Sequence, residues 1–338
     1  MLCLLSSSEY IKDAVIIEIT IEHISIYNIM ANLDIIFLGT SAAMPSEDRF
    51  LSSIVISRDG TLFIFDAGEG MQYNFIRARF GFNKKIMLFI THMHSDHILG
   101  LLGFFQTLSL QGRNLPIDIY GPKLLYSFLK ENFSILGINL SFEINIHTIE
   151  DKEGILVTSK EYKIMFCKSN HGNDVCSFAY CLVENSRPGE FDIKKAKELE
   201  IPEGNLYQML QNGKNIVFNN KLIFSNTVVG PMRPGRKIGI SGDTRPTNEL
   251  CEFFKNCDLL IFESTFKSTE LGKARESFHS TALEAAKLAK SSCVHKLCLT
   301  HFSTRYRDLL ELLNEAKSVF SDVEIAYDLK SISVPYRK

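Results

Sequence analysis

No apolar run in this chain approaches the roughly 20 residues that a bilayer-spanning helix needs, which speaks against a helical membrane segment. No basic residue precedes the short apolar core of the opening "MLCLLSSS", so no signal peptide is read there. An excess of charge is missing too: 37 Lys and Arg face 39 Asp and Glu, a net charge of -2. That balance argues against a generally basic nucleic-acid binder but leaves local basic patches open. None of the 8 cysteines forms a C-x-x-C pair and most lie in apolar runs, which fits buried free thiols in a reducing, cytoplasmic setting. Internal repeats and low-complexity tracts are also absent.

What the chain does have is enough length and apolar content, 338 residues at 45% hydrophobic, for one large domain or two small ones. Residues 1–29, with the β-branched "AVIIEITIEHISIYNIM", read as an N-terminal extension ahead of a second methionine, Met30, and 30–338 as the main domain. From Leu33 onward, "LDIIFLGT", "SSIVISRDG", "TLFIFDAGEG" and "IMLFITH" are short β-rich runs, each ended by a turn-forming or polar residue. Helical periodicity follows in "LLGFFQTLSLQ", "PKLLYSFLKENFSIL", "STALEAAKLAKSS" and "RDLLELLNEAKSVF". The first proline of the second of these suits a first helical turn. Interleaved strands and helices predict an α/β architecture with sites on loops at strand ends. One segment, 184–215, is rich in charge, Gly and Pro with one plausible short helix, and reads as an excursion from the core.

Three of the 9 histidines and an aspartate crowd into "THMHSDH". Imidazole and carboxylate are the usual zinc ligands, and alternation places His92 and His94 on one side, with Asp96 and His97 able to turn toward a second ion. A polar loop capping a helix is the plainer alternative. Two ions need further ligands, and His171, Asp243 and His301 each follow a β-like run at an expected strand end. Singly, each can be an interface histidine or a turn aspartate.

"FLGTSAAMP", "FIFDAGEGMQ", "ITHMHSDHILGL", "IYGPK", "SGDTR", "FHSTALEAA", "LTHFSTRY" and "AYDL" together resemble the metallo-β-lactamase superfamily, in its transfer-RNA 3′-processing branch, ribonuclease Z. The similarity spans residues 33 to 330. It implies a four-layer αββα sandwich with a protruding flexible arm at 184–215. It also implies two Zn²⁺ per subunit, with Mn²⁺ or another divalent ion as a substitute. His92, His94 and His171 would hold one ion, Asp96, His97 and His301 the other, and Asp243 would bridge them. Asp66 would orient a ligand imidazole from behind, although a strand-end aspartate accepting turn amides is the ordinary alternative.

Paired divalent ions can activate water at neutral pH and clamp the oxygens of an in-line displacement at phosphorus. An RNA 3′-alkoxide leaving group needs a proton, and His279, in "SFHSTALEAA", is the candidate donor. The resemblance pairs it with Glu263 in "FESTF", where Phe262 and Ser264 replace the usual His and Ala. Asp96, His279 and Glu263 are thus the expected catalytic group. His23, His147 and His295 fit no ligand pattern and read as structural or solvated.

Basic residues gather before Asp243: Lys221, Arg233, Arg236 and Lys237, with Arg245 just after it and Arg305 four residues past His301. They are the candidate RNA contacts, although basic runs of this kind also occur as plain solvated surface. The expected protein is a cytoplasmic, homodimeric, zinc-dependent endoribonuclease that removes the 3′ trailer from precursor transfer RNA and leaves a 3′-hydroxyl. Rival readings are a general phosphodiesterase of the same fold, a thioester hydrolase resembling glyoxalase II, and a metal-free RNA-binding relic.

Overall fold

The computed structural model describes residues 32–337, so the extension expected over 1–29, with His23, lies outside the described residues. Two seven-stranded sheets carry the chain. The first contains β1 (Leu33–Gly39), β2 (Ser53–Arg58), β3 (Thr61–Phe65), β4 (Lys85–Phe89), β5 (Ile117–Pro122) and β6 (Ile144–Ile149) in that order. The second runs β7 (Glu153–Thr158), β8 (Tyr162–Lys168), β9 (Phe178–Glu184), β10 (Lys237–Ile240), β11 (Leu259–Glu263), β12 (Lys296–Thr300) and β13 (Val323–Ile325), and β14 (Ser331–Ser333) returns to pair with β1.

Period-two alternation explains how the layers stack. Phe63, Phe65, Met87 and Phe89 share one apolar cluster with Tyr180, Leu182, Ile238 and Ile240 of the other sheet. Their neighbours Leu62, Ile64, Ile86 and Leu88 point the other way, into a cluster with Leu101, Phe104 and Phe105 of helix Gly100–Leu110. Helix Ala282–Ser291 packs on β11 and β12 from outside. The result is the expected αββα sandwich. The Tyr180 ring lies 5.8 Å from Phe65 and 5.6 Å from Phe89, and its hydroxyl donates to Ile90 O, binding sheet to sheet. Truncating a ring such as Phe89 to alanine would cost roughly 3–5 kcal/mol.

Strands β3, β4 and β5 are parallel, as are β10, β11, β12 and β13, so their C-terminal ends line up within each sheet. The other periodic segments appear as helices Leu124–Leu136 and Leu310–Lys317. Pro122 differs from its expectation: it ends β5, and the helix starts after Lys123.

The excursion is larger than the sequence suggested. It fills the connection between antiparallel neighbours β9 and β10, residues 185–236, and has two short helices, Ile193–Glu198 and Asn205–Gln211, plus a hairpin, Ile216–Phe218 with Lys221–Ile223. Ala196, Ile201, Leu210, Ile216, Ile223 and Val228 give it a small core of its own. Its two limbs meet at Arg187–Arg233 and Phe191–Val229, and a Cβ on Gly189 would lie 2.0 Å from Gly230 O, so the limbs touch backbone to backbone.

The described cysteines are all free. Cys167, Cys181, Cys257 and Cys298 are buried as expected, whereas Cys176 and Cys293 are exposed. Among the described residues, no helix is long and apolar enough to cross a membrane.

Candidate metal centre and its flanking acid–base pair

The candidate site residues sit on the turns just past strand ends. Asp66 follows β3, the 92–97 segment follows β4, His171 follows β8, Asp243 follows β10, Glu263 ends β11, and His301 follows β12. Two groups form there: His92, His94 and His171, and Asp96, His97, Asp243 and His301. Asp243 stands between them. Its Oδ2 is 3.8 Å from His92 Nε2, 3.9 Å from His171 Nε2 and 3.2 Å from His97 Nε2, and its Oδ1 is 3.3 Å from His301 Nε2. Asp96 Oδ2 lies 3.7 Å from His97 Nε2 and 3.6 Å from His301 Nε2.

Four of the five imidazoles are fixed from behind, and the exposed His94 instead lies with its Nδ1 3.2 Å from His171 Nε2. His97 Nδ1–H donates to Asp66 Oδ2 at 2.7 Å, and His171 Nδ1–H donates to Phe278 O at 3.0 Å, since those oxygens can only accept. Thr91 donates its hydroxyl to Asp66 Oδ2 and so receives His92 Nδ1–H at 2.9 Å. Thr265 repeats this on the other side, donating to Glu263 Oε2 at 2.7 Å and receiving His301 Nδ1–H at 3.0 Å. The Nε2 atoms of His92, His97 and His301 therefore face the cluster, buried and without a hydrogen-bond partner among the described residues. Aimed, buried imidazole nitrogens around a shared carboxylate fit divalent ions and fit little else, because an orphaned polar atom costs about 1–3 kcal/mol.

The backbone is strained at the same place. Asp66 (φ 60°), His301 (φ 57°) and Ala43 (φ 60°) all occupy the left-handed region. Sequence reasoning did not find Thr91, Thr265 or Ala43; the alternation "E-S-T" after β11, which puts Glu263 and Thr265 on one side, was the signal available for the second.

Asp243 is held far below the usual carboxylate range, the histidines His301 and His97 overcoming its burial. His97 is pushed well up: burial opposes its charge, but Asp243 and Asp66 outweigh it. His92, buried and beside His97, is pushed well down.

His279 stands off the cluster, its Nδ1 3.0 Å from Glu263 Oε1 and 3.9 Å from Asp243 Oδ2. Burial pulls this imidazole down, yet the Glu263 carboxylate, with Asp243 beyond, lifts it to about 9. Glu263 is fully enclosed and also accepts from Thr244 N at 2.9 Å. Thr281 closes a capping box with Glu284 at the start of the next helix, which fixes the turn that carries His279.

The candidate RNA contacts are scattered. Arg305 is exposed, 4.9 Å over the Phe266 ring and paired with Glu270. Lys221 is exposed on the arm hairpin. Arg233 is tied to Pro188 O and Glu190. Arg245 departs from its expectation as a phosphate contact: it is bound by Glu284 and donates to the backbone oxygen of His279. Arg236 departs further. It is buried against Glu184 and Tyr336, at the opposite end of β10 from Asp243. Lys237 beside it caps the Phe253 and Lys255 carbonyls. Of the histidines read as structural, His147 stacks on Tyr120 at 4.5 Å and His295 is exposed.

Two facing sheets between helix layers, with a His/Asp cluster at the strand ends, define a hydrolase of the metallo-β-lactamase fold. The metallo-β-lactamase-fold protein YhfI of Bacillus subtilis has that same fold (TM-score 0.60, 18% identity, 90% of this chain and 99% of that one). A family model described as Anti-Pycsar protein Apyc1 matches residues 33–188. Ribonuclease Z of Nitrosopumilus maritimus (strain SCM1) is 47% identical over 302 residues, covering 89% of this chain and 100% of that protein. The crystal structure of human tRNase Z, short form, superposes with a TM-score of 0.66 at 26% identity, over 89% of this chain and 99% of that one. The chain belongs to the ribonuclease Z family.

Proposed function

We propose that this chain is a zinc-dependent endoribonuclease that removes the 3′ trailer from precursor transfer RNA, leaving a 3′-hydroxyl on the transfer RNA. The observation that carries this reading is the juxtaposition of two ligand groups around Asp243 with a separate, carboxylate-held imidazole, His279, beside them. A purely nitrogen and oxygen donor set suits zinc and also admits manganese.

His92, His94 and His171 would hold one ion and Asp96, His97 and His301 the other, with Asp243 shared. Bound there, the ions would supply Lewis acidity to a phosphodiester and make water nucleophilic at neutral pH. Asp66 and Thr91 on one side, and Thr265 on the other, keep the imidazoles aimed. Glu263 holds His279 by Nδ1, so Nε2 is the atom that would pass a proton to the departing 3′-oxygen. Arg305 would steady a neighbouring phosphate. The arm, 185–236, would clamp a remote part of the substrate, so its binding energy would position the scissile bond.

Residues 30–338 form the nuclease domain in this reading and 1–29 an extension to it. The free thiols support a reducing, cytoplasmic setting, and the family resemblance supports a homodimer, which light scattering of the purified protein would test. Purified protein with its metals quantified should be offered a labelled precursor transfer RNA, a simple phosphodiester and a thioester side by side. Cleavage of the first at the 3′ end of the acceptor stem is the expected result. Preference for the small diester would favour the general phosphodiesterase instead.

A further inference from the structure

The sequence motif "AYDL" plays no part in the site as described, yet its aspartate holds a loop that does. Residues 40–50 lie in the connection from β1 to β2 and border the second ligand group on two sides. Ala43 N–H donates to Asp96 Oδ2 at 2.8 Å, and Ser41 and Ala42 pair with Phe302 and Ser303, the two residues after His301. The Ala43 amide reaches Asp96 only because that residue adopts φ 60°.

Both ends of the loop converge on Asp328. Thr40 Oγ1–H donates to its Oδ1 at 2.9 Å, while Phe50 N–H, at 2.9 Å, and Asn74 Nδ2–H, at 3.0 Å, donate to its Oδ2. The same Asn74 amide also donates to Leu38 O, and Thr40 and Ser41 N–H both reach Phe50 O, so the neck of the loop is closed by several bonds. The segment that presents Asp328 is itself fixed. Ala326 N bonds Leu299 O in β12, and Leu329 N bonds Phe37 O in β1. Asp328 therefore joins the loop to both sheets. Burial lifts its carboxyl to about 6, with Phe50 and Thr40 opposing that shift, so it is ionised at neutral pH and can accept all three bonds.

We propose that Asp328 is a positioning residue for the Asp96 carboxylate, acting through the 40–50 loop and the Ala43 amide. The inference rests on the assignment of Asp96 as a metal ligand. An asparagine at 328 can keep these contacts, its Oδ1 accepting from Phe50 N–H and Asn74 Nδ2–H and its Nδ2–H donating to the Thr40 hydroxyl, but an alanine removes all three. The loop neck loosens, and Asp96 loses the amide that fixes one oxygen. Second-layer partners of this kind are typically worth about 10–100-fold in metal affinity.

The test is a zinc titration of metal-stripped full-length protein against a competing chelator, comparing wild type with Asp328→Ala. Two steps are expected in the wild type. In the variant, one step should weaken by about 10–100-fold while the other stays within a few-fold. Hydrogen exchange at the Ala43 amide should quicken in parallel. A merely structural role would lower Tm and leave the two steps alone or weaken them together, and either of those results overturns the proposal. If Asp328→Ala does not fold, Thr40→Val, which removes a single anchor, decides: a selective shift of roughly 2–10-fold in one step is expected, and none overturns it. A wild type that binds no pair of ions would sink the underlying site assignment instead, which keeps the two failures apart.

Discussion

Asp66 and Glu263 perform similar tasks from different sheets. Each lies at the C-terminal end of a strand, each is buried, each bonds one histidine directly, and each reaches a second through a threonine hydroxyl. The difference lies in where the direct histidine points. His97, on Asp66, turns its Nε2 into the cluster and is only 1% exposed at the side chain, whereas His279, on Glu263, stands beside the cluster and is 17% exposed. In the proposed mechanism one arrangement would give a ligand and the other a group that gives up a proton. Whether a carboxylate-held imidazole acts as ligand or acid is decided by what its far nitrogen meets, not by its anchor.

The largest effect should come from breaking the acid side. His279→Ala is expected to lower precursor cleavage by roughly 10²–10⁴-fold with metal content unchanged. A substrate with a better leaving group should be slowed far less, and equal slowing would remove His279 from the role of donor. On the ligand side, Asp66→Asn should weaken metal binding by about 10–100-fold, read by chelator competition. If zinc affinity stayed intact while catalysis fell, the two anchors would be doing the same job and the contrast would collapse.

Glu263→Gln sharpens it through pH. The carboxylate raises the His279 pKa, so its loss should bring that value down from about 9 toward the ordinary histidine range. A proton donor works only while protonated, so the alkaline fall in cleavage should move to lower pH. Divalent ions nearby will shift both values down, which makes the difference between variant and wild type the useful quantity. Imidazole NMR at His279 gives it directly. The smallest effects belong to the relays: Thr91→Val and Thr265→Val should each cost roughly 0.5–1.5 kcal/mol, about 2–10-fold. The first should be seen in metal affinity, the second in metal affinity and turnover together, because Thr265 also lies 3.3 Å from His279 Nδ1.

The candidate site was legible because its chemistry is concentrated at strand ends, where a β-rich run stops at His or Asp. His92 to His97, His171, Asp243 and His301 all announced themselves in this way, and the structure brings them together. The relays were not legible. A threonine is an ordinary strand residue, and only the fold shows which hydroxyl lies between a carboxylate and an imidazole. Two of the basic residues were hidden for a related reason: Arg236 is paired with Glu184, and Arg245 with Glu284, partners too far away in sequence to be guessed. The full extent of the arm was not read from the sequence: the short strands Ile216–Phe218 and Lys221–Ile223 pair only with each other and not with either sheet, which only the fold shows.

The left-handed residues have an evolutionary consequence. At 43, 66 and 301 the backbone conformation suits glycine, and holding any other residue there costs of order 1–3 kcal/mol. Ala43 contributes only its amide to the site, so glycine can replace it without loss. Asp66 is different: its carboxylate accepts from Thr91 N–H, the Thr91 hydroxyl and His97 Nδ1–H, so glycine there would relieve the strain but leave buried donors without a partner at about 1–3 kcal/mol each. His301 is buried as well, and glycine there would leave a hole in place of an imidazole. Under selection for heat resistance, only position 43 is therefore free to drift to glycine.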